Sequence, residues 1–374
     1  FENYKWEVRF LRAWFYFDLA RKFGDVPFVG DRILTEEEVN SFSRMPVQDI
    51  FDYVIHECEV VAEELPDEYT ESGVNDRGRA TKSMALALRA RAALYAASPL
   101  FNKEDDKTLW LRSAMANKDV IDHMTVTRGI MLTNSYTSIW DVDNYKIPQN
   151  IMWVVDGENN WLESSNFPAG IEGGYGGNCP TQNLVDAYQM TNGKFWDAPG
   201  SGYDPQAPWD NRDPRLGMTI AKNGDTGWPG YLSGKLETFE GGAHGEPLSN
   251  ATPTGYYLKK WLNSSVDLRP NSTTTTWHTF VVFRLAEFYL NYAESVYRYL
   301  GTPDAMVGDL PMSAVGAINV VRSRPGVGLP ALAAGMDDQT FWKYYESERM
   351  VELAFEDHRF YDVRRWKLGA DRFK

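Results

Sequence analysis

Apolar positions at the start of the chain repeat with a helical period. Between Phe1 and Phe23, Leu11, Phe15 and Leu19 fall four apart with Trp14 beside them, while Arg9, Arg12 and Arg21 lie mostly off that stripe. The pattern predicts an amphipathic helix along the stripe, stopped at Gly24, a residue that accepts a left-handed cap. The same reasoning predicts helices from about Val47 to Leu65, with Ile50, Val54 and Val61 inside and Pro66 after it, and from about Lys107 to His123. Between these two, the stretch from Thr81 to Ala97 holds seven alanines and ends before Pro99. Small side chains on several faces let neighbouring helices approach closely, as in an array of stacked helical hairpins.

The middle of the chain breaks this pattern. From Gly157 to Gly255 lie 18 of the 30 glycines, and from Trp140 to Trp277 lie eight of the 13 tryptophans. A long glycine-rich stretch without periodicity is functional or disordered, and this density of Trp and Tyr argues for order. Helical pattern returns after Trp277. A short strand is expected at Phe280–Phe283. Then comes a helix with Leu285, Tyr289, Tyr292, Val296 and Leu300 on one side, stopped by Gly301, followed by helices near Met312–Arg322 and Gln339–Phe355. The fold class expected is mainly α: a helical-hairpin scaffold at 1–140 and 278–374, loosely like tetratricopeptide arrays, carrying a loop-rich, aromatic-rich insertion at 141–277.

Composition narrows the partners. The net charge is −14, and no basic run is longer than Arg364-Arg365. Nucleic-acid binding needs clustered Lys and Arg, so that function class is set aside, and an anionic ligand would need a local reversal of charge. Two cysteines, Cys58 and Cys179, allow at most one disulfide. No apolar run reaches the length of a membrane span; the alanine-rich helix is interrupted by Arg89 and Arg91. No signal peptide or lipid-attachment cysteine is present in the chain, which reads as an internal piece of a longer protein.

Six segments then carry a resemblance. Arg9–Val29 (RFLRAWFYFDLARKFGDVPFV), Ala87–Asn102 (ALRARAALYAASPLFN), Asn211–Leu216 (NRDPRL), Phe283–Glu294 (FRLAEFYLNYAE), Ile318–Val327 (INVVRSRPGV) and Glu348–Gly369 (ERMVELAFEDHRFYDVRRWKLG) resemble, in order, signatures of the SusD/RagB family of nutrient-binding outer-membrane lipoproteins. The family's N-terminal lipoprotein region and usual C-terminal tail are not in the sequence. The resemblance implies a tetratricopeptide-like fold and a place on the extracellular face of the outer membrane of a Bacteroidetes-type cell, held by a lipid anchor. It also implies a SusC-like TonB-dependent transporter as partner. The cargo would be oligosaccharides or, as in the RagB branch, peptides, bound without catalysis.

The residues themselves leave three chemistries to weigh. Glu348, Glu352 and Glu356 repeat at helical spacing. Such carboxylates could serve an all-α glycoside hydrolase, but Arg349, His358, Arg359, Arg364 and Arg365 crowd the segment and favour a structural ion-pair network. The five histidines are scattered. Asp141, Asp143 and Asn144 hint at calcium without the glycine and distal glutamate of an EF-hand, so no cofactor or metal is expected, and a surface calcium built from distant oxygens stays open. Aromatic residues of the insertion are the ligand-binding candidates: Trp161, Tyr175 within its glycine cluster, Trp209, Trp228 in GDTGWPGY, where turn residues would hold it at a surface, and Tyr231. Asp25 joins them because the resemblance places a polar, sugar-contacting side chain at the FGDVP turn; the alternative is an aspartate that caps backbone N–H groups.

Overall fold

The computed structural model describes residues 3–69 and 78–372, with nothing beyond the main chain for Arg372. The first two positions of the expected first helix, Phe1 and Glu2, lie outside that range. In chain order the elements are α1 (Tyr4–Phe23), β1 (Val26–Pro27), α2 (Glu36–Ser41), β2 (Arg44–Met45), α3 (Val47–Glu64), α4 (Lys82–Ala97) and α5 (Lys107–Asp122). β3 (Asn150–Asn159), α6 (Trp161–Asn166), α7 (Gln182–Ala187), α8 (Pro214–Thr219), β4 (Ile220–Lys222), β5 (Tyr256–Leu258) and β6 (Thr276–Arg284) follow. The chain continues with α9 (Leu285–Leu300), α10 (Ala314–Arg322), α11 (Asp338–Glu352), α12 (Arg359–Arg365) and α13 (Gly369–Arg372).

The long helices pack in series: α1 on α3, α3 on α4, α4 on α5, α5 on α9, and α9 on α10. Alanine explains the middle of the series. α4 buries all seven of its alanines between α3 and α5, so backbones approach with almost no side chain between them. Thr81 caps its N-terminus by accepting from the Met84 N–H. α9 ends at Gly301 in the left-handed conformation that glycine adopts without penalty.

α1 is turned differently from its expected phase. Phe10, Ala13, Phe17 and Ala20 are buried, while Leu11, Phe15 and Leu19 are 44%, 61% and 40% exposed. The helix is apolar on two faces, so periodicity alone does not choose between them. Charge does. Arg9 makes a two-pronged contact with Glu57 of α3 at 2.6 and 2.8 Å, and Arg12 reaches Tyr53 of α3 at 2.8 Å and Glu57 at 3.2 Å. These pairs turn the Phe10–Phe17 face inward, where Phe17 meets the edge of Tyr95 at 5.2 Å.

β3 and β6 form an antiparallel ribbon whose register runs from Asn150 opposite Arg284 to Asn159 opposite Thr276. β6 is longer than the strand expected at Phe280–Phe283, and β3 was not expected. Between the two strands lie short helices, the β4–β5 pair and turns, with two small apolar clusters of their own. One gathers around Phe167, Trp228 and Tyr257; the other gathers around Tyr188, Leu216 and Ile220 and reaches Val351 of α11.

A buried ionic seam joins this segment to the helices. Glu352 accepts from Arg284 (2.7 Å), Arg324 (2.8 Å) and Arg215 (2.8 Å). Glu348 accepts from Arg215 (2.6 Å) and Arg322 (3.0 Å), and Glu356 from Lys260 (2.6 Å) and Arg284 (2.7 Å). The expected network is present, but its cations come from distant elements. Of the nearby basic residues, Arg349 turns to Asp362, and Arg365 turns to Glu294 and Asp362. α11 ends at Glu352, so Glu356 is held by the turn that follows.

Candidate functional site

α6 organises the exposed aromatics. Its first residue, Trp161, is 75% exposed, and the Asn159 side chain holds its backbone N–H at 3.0 Å. The glycine cluster lies back against the same helix. Tyr175 N–H donates to Ser164 O at 2.9 Å, Gly176 N–H to Phe167 O at 2.8 Å and Gly177 N–H to Ser165 O at 2.7 Å. The approach needs glycine: a Cβ on Gly177 would lie 2.6 Å from Ser165 O, and Gly176 sits at φ 61°. Tyr175 therefore stands 64% exposed on a backbone pinned to α6.

Phe167, just after α6, draws in two more candidates. Trp228 meets it edge to face at 5.6 Å and Tyr231 at 6.2 Å. Tyr231 is half-buried, its hydroxyl donates to Glu172 O at 2.9 Å, and burial pushes the phenol up to about 12. Trp228 is only 5% exposed, which corrects the expectation that its turn residues hold it at the surface. The apolar cluster beneath those turns is small, and the indole is its largest filler. Four of the six candidates thus gather around α6: Trp161 and Tyr175 outside, Tyr231 at the edge and Trp228 inside.

The other two lie elsewhere. Trp209 packs edge to face on Tyr256 at 5.9 Å, in the cluster against α11. Asp25 is exposed, and its carboxylate accepts the Val47 N–H at 2.8 Å. It caps the first turn of α3, the alternative its turn position had offered.

Beside α6 the ribbon opens into a cleft of about 190 Å³ that had not been singled out. Trp140, Trp228, Trp261 and Trp277 line it, with His278, Asn263 and Ser264 among the polar groups. Trp277 is 55% exposed. Strand alternation in Thr276-Trp277-His278 was the available signal, since it sends Trp277 to the face opposite the two buried residues. Trp261 is fixed by an Nε1–H bond to Phe355 O at 2.8 Å and packs 5.6 Å from Phe280. Its φ of 72° is strained for an aromatic residue. Behind the cleft wall, buried Glu163 backs two lining residues: its Oε2 lies 3.0 Å from His278 Nε2, and its Oε1 accepts the Asn263 N–H at 2.9 Å. Burial raises the Glu163 carboxyl to about 7 and lowers the His278 imidazole, so both groups are driven toward their neutral forms.

Other chemistry is placed outside this region. Glu348 and Glu352 are buried in the seam, and the carboxylates of all three glutamates are engaged by guanidinium or ammonium groups. Asp141 Oδ1 accepts the Val142 N–H at 2.8 Å, Asp143 pairs with Lys146 at 2.8 Å, and Asn144 donates to Thr279 O at 2.6 Å. Among the described residues no three His, Cys, Asp or Glu side chains converge as metal ligands. Cys58 and Cys179 are free thiols, and burial pushes the Cys58 thiol far up.

The family model for SusD matches residues 136–374, more than half of the chain and all of the region just described. The chain belongs to the SusD family. A second model, described as starch-binding and associating with the outer membrane, matches residues 2–94. Two SusD-like proteins of Formosa agariphila, P2 and P25, are 22% and 24% identical over 98% of the chain, which spans 66% and 64% of their lengths. Among solved structures, a SusD-like protein from Bacteroides fragilis aligns with a TM-score of 0.77 at 28% identity, covering 97% of this chain and 69% of that one. A SusD-like carbohydrate-binding protein from the same species aligns with a TM-score of 0.77 at 26% identity, covering 97% and 66%. The serial helix packing is therefore the tetratricopeptide-like scaffold of SusD proteins. Among the described residues no helix is long and apolar enough to cross a membrane.

Proposed function

We propose that this SusD-family chain captures oligosaccharides at the outer face of the outer membrane, breaks no bond in them, and hands them to a SusC-like TonB-dependent transporter. One observation carries the reading: Trp161 and Tyr175 stand exposed on a segment whose backbone is locked to α6. A pyranose has a flat C–H face that lies on such a ring, while its hydroxyls need polar neighbours such as Asn159 and Asn160. A rigid shelf loses little entropy when cargo settles on it. The carbohydrate-binding relative from B. fragilis and the starch-binding description of the N-terminal model support the same cargo class. Membrane attachment through a lipid anchor and delivery to the transporter rest on the family resemblance.

Calorimetry against a panel of oligosaccharides tests the reading. Micromolar or weaker binding is expected, because an open shelf covers less of its ligand than a deep pocket. Trp161→Ala and Tyr175→Ala should each weaken it by roughly five- to tenfold, the worth of one stacked ring. Phe15→Ala, an exposed ring on α1, should leave it unchanged. Peptides binding where sugars do not, or full affinity without both rings, would overturn the proposal.

A further inference from the structure

The cleft beside α6 has a size and a charge balance that narrow the cargo. At about 190 Å³ it falls below the roughly 300 Å³ at the small end of ordinary ligand pockets, a size that suits a single sugar ring. Its walls are fixed. Trp261 is tethered to Phe355 O and packed on Phe280, and Trp228 is wedged against Phe167. The rim is open to solvent at Thr137, Asp141, Val142, Ser264 and Trp277, all exposed. Among the described residues the indole N–H groups of Trp140, Trp228 and Trp277 donate to no protein acceptor. They are left for a ligand oxygen.

Charge at the cleft is close to balanced. Lys259 donates to Gly217 O at 2.8 Å, and Asp141 already accepts from Val142. His278 is the lining residue nearest Glu163, which lies 3.0 Å behind it, and burial disfavours the charged form of each. Nothing in this set forms the cationic clamp that a carboxylate or sulfate would need, and the chain as a whole carries −14.

The cleft and the shelf are parts of one surface. α6 carries Trp161 outward and Glu163 inward, where it holds the lining residues Asn263 and His278 from behind, and Trp277 pairs with Glu158, three residues before Trp161. We propose, resting on the glycan reading above, that the cleft is a single-ring subsite. It takes one neutral pyranose of an oligosaccharide, stacked on Trp277, and neighbouring residues of the same glycan reach Trp161 and Tyr175.

Methyl glycosides of the common neutral hexoses, pentoses and deoxyhexoses, with methyl glucuronide beside them, provide the test. Saturation-transfer NMR and tryptophan fluorescence would be read on the wild-type chain and on Trp277→Ala, with the oligosaccharide panel in parallel. At least one neutral methyl glycoside should bind, more tightly than methyl glucuronide, and Trp277→Ala should weaken it by about tenfold. Oligosaccharide binding without any methyl glycoside binding would overturn the subsite and leave glycan capture standing. So would a glycoside affinity that Trp277→Ala leaves within a factor of two, or a preference for the glucuronide. Silence from both panels would overturn the subsite and glycan capture together.

Discussion

In the series from α1 to α10, buried contacts are mostly alkyl on alkyl or ring on ring, and helix ends are closed by threonine, aspartate, serine and glycine caps. Between β3 and β6 the chain has few long elements. It is held by glycine turns, two small apolar clusters and the ionic seam under them. The helical part can lose a surface ring and keep its packing, because each helix is braced by neighbours along its length. The inserted part has little regular backbone to fall back on, so a few fixed points position its aromatics.

Breaking the seam is the severest test of the contrast. Glu352 holds Arg215 from the inserted segment together with Arg284 and Arg324, all buried. Glu352→Gln keeps the shape but strands buried cations, a change that costs about 3–5 kcal/mol when one partner of a buried pair is lost. Urea unfolding at pH 7 would read it. A loss below about 1 kcal/mol would mean that apolar packing alone joins the two regions.

A pair of phenylalanines on one helix sharpens the contrast inside the scaffold. Phe17→Ala opens a void beside Tyr95 and Phe51 and should cost about 3–5 kcal/mol. Phe15→Ala, two residues away and 61% exposed, should stay within about 0.5 kcal/mol. Equal losses in thermal or urea unfolding would contradict the orientation of α1.

The same pair shows what sequence reasoning can reach. Helix positions were legible because capping residues, glycines and prolines mark their ends. The rotation of α1 was not, because two apolar faces compete and a partner on α3, Glu57, decides. Of the site, Trp161 and Tyr175 were legible as aromatics next to turn and glycine residues. Trp228 misled because the same turn chemistry covers a core indole as readily as it presents one. Trp277 was missed because its only signal was a three-residue strand alternation outside the expected Phe280–Phe283 strand, and Trp261 because its place is set by Phe355, 94 residues further along the chain, and by Phe280.

Buried glutamates give the subtlest test, because the two regions push the same side chain in opposite directions. In the scaffold, the Arg365 guanidinium holds Glu294 down at about 2 against the desolvation that opposes it. In the inserted segment Glu163 has no cation in contact, and burial lifts it to about 7. A carboxyl raised on folding adds stability that is full below its unfolded value, near 4.5, and is lost as pH climbs through 7. Glu163→Gln imitates the protonated form at every pH. His278 remains in both chains, so subtracting their stabilities leaves the carboxyl together with its coupling to the imidazole 3.0 Å away. Between pH 4.5 and pH 8 the variant should gain up to about 3 kcal/mol relative to wild type, because each tenfold change in proton affinity on folding is worth about 1.4 kcal/mol. Urea unfolding of both chains across that range would show curves that converge or cross. Parallel curves would mean that Glu163 keeps an ordinary carboxyl affinity in the folded chain, its charge balanced by a protonated His278 beside it.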